Sequence, residues 1–141
     1  MVSRSSPSSR RRLRLALLND NAGVLQMLCD WFTQHGHHCV TAVVADLRNA
    51  HQDVARFINE HEPDVVVYDV GMPYACSWDL LDAIRSDPSL KAQPFVVTTP
   101  NKKKLREAVG ATSALELAGL TTDLRRILKA VETAGRRLPT A

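Results

Sequence analysis

"DVVVYDVGMP", residues 64–73, decides the fold. Val65, Val66, Val67 and Tyr68 form an apolar, β-prone run with no polar alternation, as expected of a strand covered on both faces. The run ends in a carboxylate, Asp69, and then in Gly71 and Pro73, which turn the chain away. A buried strand that delivers an acid to its own carboxyl end suggests an open α/β sheet, where chemistry gathers beyond the strand tips.

The same rhythm repeats on either side. Strand-like runs are expected at Leu13–Leu18, Cys39–Val44, Val65–Tyr68, Phe95–Thr98 and Ala114–Leu117. Helical spacing fills the gaps over Asn21–His35, Asp53–His61, Ser77–Arg85, Lys102–Val109 and Asp123–Thr133. The last of these has the clearest period, Leu124, Ile127, Leu128 and Val131, with Thr122 as expected N-cap. Five such units predict a doubly wound (βα)5 domain with a parallel sheet and helices on both faces. At 141 residues and 45% hydrophobic, the chain suits one such core, built of aliphatic side chains because only 5% are aromatic.

Charge is unevenly placed. Residues 1–14 hold Arg4, Arg10, Arg11, Arg12 and Arg14 and no acid, whereas the rest carries 13 Lys and Arg against 15 Asp and Glu. The basic balance therefore belongs to a tail, expected to be disordered over residues 1–12, and a nucleic-acid partner is not expected. The apolar stretch after "SRRR" is about six residues, short of an export signal, and no run approaches the ~20 of a membrane span. Cys29, Cys39 and Cys76 are scattered, which suits a reduced, cytoplasmic setting. "HGHHC" (35–39) has no complementary ligand cluster elsewhere, so metal binding is not expected there.

Three expected strand ends carry polar groups: Asn19-Asp20, Asp69, and Thr98-Thr99. If those strands lie side by side, two carboxylates and a hydroxyl converge. Paired carboxylates favour a shared proton or a hard cation such as Mg2+, with the Gly71 carbonyl as a further ligand. A carboxylate so placed can attack phosphorus to give an aspartyl phosphate.

These residues resemble the receiver domain of two-component response regulators across residues 13–134, leaving 135–141 as a C-terminal tail. "DVGMP" (69–73) is similar to the family's D-x-x-M-P motif, Asn19-Asp20 to its acid pair, and Thr99 to the hydroxyl residue ending strand four. The resemblance implies the CheY-like, flavodoxin-type strand order 2-1-3-4-5 and Asp69 as phosphoacceptor, with Thr99 beside the phosphoryl group. It implies Mg2+ held by Asp20, Asp69 and the Gly71 carbonyl, with Asn19 acting through water. It also implies a histidine kinase or phosphotransfer protein as donor, meeting helix one. The face of helix four, strand five and helix five would meet a downstream protein target or a second copy in a homodimer.

There are departures. The lysine that receivers carry after strand five aligns with Leu120, so it is missing. Asn19 replaces one acid, Cys76-Ser77 stands where Asp-Gly is usual, and Ser113–Leu117 has no aromatic residue. The link at residues 45–52 is slightly long. The expected function is a single-domain receiver without an output domain, signalling by protein–protein contact. The rival is a pseudo-receiver that binds partners independently of phosphorylation. An aspartate-nucleophile phosphatase needs a second acid two residues beyond the nucleophile, where this chain has Gly71, so enzymatic turnover is not expected.

Overall fold

The computed structural model describes residues 12–46, 50–110 and 117–136. Its strands are β1 (Arg14–Asn19), β2 (His38–Val43), β3 (Val65–Asp69), β4 (Phe95–Thr99) and β5 (Leu117–Leu120). They alternate with α1 (Ala22–Gln34), α2 (Ala50–His61), α3 (Tyr74–Arg85), α4 (Lys102–Val109) and α5 (Leu124–Arg136). All neighbouring strands pair in parallel, in the order β2-β1-β3-β4-β5. The doubly wound fold read from the sequence is the fold observed.

Strand alternation explains the two cores. Ala16, Leu18, Val66, Tyr68 and Val97 face one side, where Val54 and Ile58 of α2, Leu81 and Ile84 of α3 and Leu105 of α4 cover them. Leu15, Leu17, Val65, Val67 and Val96 face the other, beneath Leu28 and Phe32 of α1 and Ile127 and Val131 of α5. The central strands are therefore apolar throughout, which is why Val65–Tyr68 shows no alternation in sequence.

The element boundaries differ from expectation in instructive places. The fifth strand was expected at Ala114–Leu117 and begins at Leu117; residues 114–116 lie outside the described residues. Gly119 made the true strand look like a break, but a small residue is needed there. A Cβ at Gly119 would stand 3.2 Å from Cδ of Arg126, whose stem crosses the strand. Asp123, not Thr122, caps α5: its carboxylate accepts from the Arg126 N–H at 3.4 Å. α3 starts at Tyr74, one turn before Ser77, and α2 at Ala50. The tail expected over residues 1–12 lies outside the described residues up to residue 11, as does the C-terminal tail from residue 137.

His37 is buried; its Nδ1 accepts from the Leu13 N–H at 3.1 Å, so Nε2 carries the proton and donates to Glu132 at 3.0 Å. One side chain thus ties the entry to β1 to the second half of α5. His37→Leu should cost about 2 kcal/mol, because it leaves a buried N–H without an acceptor. A fall in the denaturant midpoint at unchanged slope would register it. Among the described residues no group of three His, Cys, Asp or Glu side chains is placed to hold a metal. Burial against Cys29 pushes the Cys39 thiol up to about 12, consistent with an inert packing residue. No helix among the described residues is long and apolar enough to cross a membrane.

Candidate functional site

The carboxyl edge of the sheet brings four polar side chains to one point. β3 ends in Asp69, which is only 8% exposed. β1, its neighbour on one side, ends in Asn19, and β4, on the other, ends in Thr98 and Thr99. The turn between β5 and α5 adds Thr121.

Asn19 is oriented by its own backbone surroundings. Its Oδ1 accepts the Asn21 N–H at 2.8 Å, which turns Nδ2 toward Asp69, where it donates to Oδ2 at 2.9 Å. Asn21 then caps α1, accepting from the Gly23 and Val24 N–H groups at 2.8 and 3.2 Å. Asp20, between the two, is exposed.

On the other side, Thr98 donates to Asp69 Oδ1 at 2.8 Å, and Thr121 donates to the same oxygen. Thr99, expected to face the site, instead donates to the Val70 carbonyl at 2.8 Å. The β3–β4 register sets Asp69 opposite Thr98, and successive strand residues point to opposite faces, so the two threonines cannot share one role. Thr99 braces the loop that leaves β3.

The end of β3 is held from below as well. The Tyr68 hydroxyl donates to the Ser77 carbonyl at 3.0 Å, tying the strand to the first turn of α3. Burial pushes that phenol up to about 12. Burial likewise raises the Asp69 carboxyl above its ordinary range, and the charge of Asp20 adds to the effect. The hydrogen bonds from Thr121, Thr98 and Asn19 oppose it by favouring the ionised form.

Asn19 and Asp69 thus meet at one strand tip, with Asp20 near enough for its charge to act on Asp69. The backbone at Gly71 is open, with nothing within 4 Å of where a Cβ would stand. Thr98 and Thr121 are the partners that sequence reading missed. Leu120, the position at which the receiver lysine was expected, is 40% exposed, whereas Thr121 beside it is 4% exposed and turned to Asp69. Among the described residues no lysine donates to Asp69. Lys102, Lys103 and Lys104 are exposed on the first turn of α4. A groove of about 550 Å³ runs past Lys104 and Ala108 to Met72, which is 72% exposed.

No protein-family model matches the sequence. No curated protein matches it either. Solved structures do share its architecture. A CheY-like response regulator receiver domain from Methylobacillus flagellatus superposes with a TM-score of 0.65 at 12% identity, over 88% of this chain and 99% of that one. The chemotaxis response regulator CheY4 of Vibrio cholerae gives 0.62 at 17% identity, over 88% and 99%. A LuxR-family two-component response regulator from Aurantimonas sp. gives 0.60 at 19% identity, over 89% and 86%. At such identities the likeness establishes a shared fold, that of the response-regulator receiver.

Proposed function

We propose that this chain, which has the receiver fold, is a response-regulator receiver that takes a phosphoryl group onto Asp69 in a two-component phosphorelay. It then signals by contact with another protein. One observation carries the reading: Asp69 ends a central strand, with an amide from β1 and a hydroxyl from β4 aimed at its two oxygens.

Oδ2 is the oxygen suited to attack, since it takes one hydrogen bond and Oδ1 takes two. An Oδ2–P bond forms as the P–N bond of a phosphohistidine donor breaks, and the electron pair leaves with the donor's imidazole. Oδ1 becomes the carbonyl oxygen of the acyl phosphate, still held by Thr98. Thr99 keeps the adjoining loop in place.

The groups that would hold a cation are hard oxygens, the Asp20 and Asp69 carboxylates and the Gly71 carbonyl, with Asn19 acting through water. That chemistry suits Mg2+. When bound, the cation would offset the charge on the phosphoryl oxygens.

The donor would be a histidine kinase or phosphotransfer protein meeting α1 in the cytoplasm. The face of α4, β5 and α5 would meet the downstream target, a second copy included. No substrate is turned over beyond the acyl phosphate itself.

A second reading has its own support. Both oxygens of Asp69 are engaged by neutral donors with no lysine among them, an arrangement equally suited to a pseudo-receiver that binds partners independently of phosphorylation. Mass spectrometry after incubation with histidine kinases or acetyl phosphate and Mg2+ separates the two. A hydroxylamine-labile phosphoryl group on Asp69, absent in Asp69→Asn, is expected. An unlabelled, folded protein would leave the pseudo-receiver.

A further inference from the structure

We infer that Thr121 is a catalytic residue for loss of the phosphoryl group: with Thr98 it forms a two-hydroxyl cradle on Asp69 Oδ1 that hastens hydrolysis of the acyl phosphate. This rests on reading Asp69 as the phosphoacceptor.

The two oxygens of Asp69 are held unequally. Oδ1 accepts from the Thr98 and Thr121 hydroxyls, and Oδ2 accepts from the Asn19 amide. Phosphorylation at Oδ2 leaves Oδ1 as the carbonyl oxygen, with both hydroxyls aimed at it. Hydrolysis then runs at phosphorus. A water oxygen forms a new P–O bond as the P–Oδ2 bond breaks. The electron pair returns to the Asp69 carboxylate, and both water protons leave on dihydrogen phosphate.

As the P–Oδ2 bond breaks, negative charge spreads by resonance onto Oδ1. An acyl carbonyl is a weak acceptor and a carboxylate oxygen a strong one, so both hydroxyl bonds tighten on the way to the transition state. Donors that gain strength only as charge develops accelerate the step. These two are already in place. Thr98 is fully buried in a central strand, while Thr121 is buried and its own N–H donates to the Thr99 carbonyl at 3.0 Å. The capture step differs. Phosphoryl transfer passes through a loose transition state, in which the incoming carboxylate has given up little of its charge. Its bonds to the hydroxyls are then nearly intact, so capture is insensitive to them. Thr121 therefore shortens the life of the phosphorylated state without slowing its formation.

The two rates are measured separately. Protein is loaded with acetyl phosphate and Mg2+, desalted into fresh Mg2+ buffer, and followed by intact-mass spectrometry at fixed pH. Thr121→Val should lose the phosphoryl group about fivefold more slowly than wild type, while its loading rate changes by less than about twofold. Thr121→Ser, which keeps the donor, should match wild-type decay within about twofold. Thr121→Ala carries the valine expectation if the valine variant does not fold. Three results would overturn the role while leaving Asp69 as phosphoacceptor: decay of Thr121→Val at or above the wild-type rate, loading and decay slowed by the same factor, or a serine variant as slow as valine. Wild-type protein that takes up no phosphoryl group would instead sink the phosphoacceptor, and this role with it.

Discussion

Asn19→Asp is expected to destabilise the protein by about 3 kcal/mol in metal-free buffer near neutral pH, and to regain most of that loss in acid. The Asn19 amide donates to Asp69 Oδ2 at 2.9 Å, and both residues are buried. An aspartate there keeps the bond from the Asn21 N–H but sets acceptor against acceptor and charge against charge. Two carboxylates so close retain a proton between them, so their pKa rises on folding and the folded state binds more protons than the unfolded one. The loss is then full above the pair's folded pKa and is recovered as pH falls through it. Denaturant midpoints at about pH 8 and pH 5 read this directly. Millimolar Mg2+ should also restore stability, since a third carboxylate strengthens the donor set. A pH-independent loss would mean that packing, not charge, explains the amide. The prediction also accounts for the donors of Asp69, an amide and two hydroxyls, none of which adds charge beside the carboxylate.

Phe32→Ala should cost about 4 kcal/mol, the largest loss expected from any single truncation considered. Phe32 is 0% exposed in the cluster that joins α1 and α5 to β1 and β3. Its carbonyl also accepts from the N–H groups of His35 and His37, so it sits where α1 ends and β2 begins. Removing the ring opens a cavity that the surrounding leucines and valines refill only in part. Chemical denaturation should show a lower midpoint with the slope preserved. Met27, on the exposed side of the same helix, is the control: Met27→Ala should change stability by less than about 0.5 kcal/mol. Comparable losses at both positions would mean that α1 is not held by this core.

The sheet and its helices were legible because buried parallel strands and amphipathic helices leave direct marks in the chain. Val65–Tyr68 could not be so uniformly apolar on a half-solvated strand, and Leu124, Ile127, Leu128 and Val131 repeat at the helical period. Asp69 was legible too, as an acid at the end of such a strand. Boundaries were less so. A glycine inside β5 reads as a break until Arg126 is seen lying across it, and α5 begins one residue later than its threonine suggested because Asp123 makes the capping bond.

The partners of Asp69 were a matter for tertiary structure alone. Thr98 and Thr99 are identical in sequence terms, and only the β3–β4 register, which alternates faces at every residue, sends Thr98 to the carboxylate and Thr99 to a loop carbonyl. Leu120 and Thr121 pose the same problem at the end of β5, where a lysine was sought at the first and a hydroxyl donor stands at the second. Local pattern determines which segments are strands and which residues end them. Which neighbouring side chain reaches across 52 positions of sequence to a given oxygen depends on how strands register, and that is settled only when the sheet assembles.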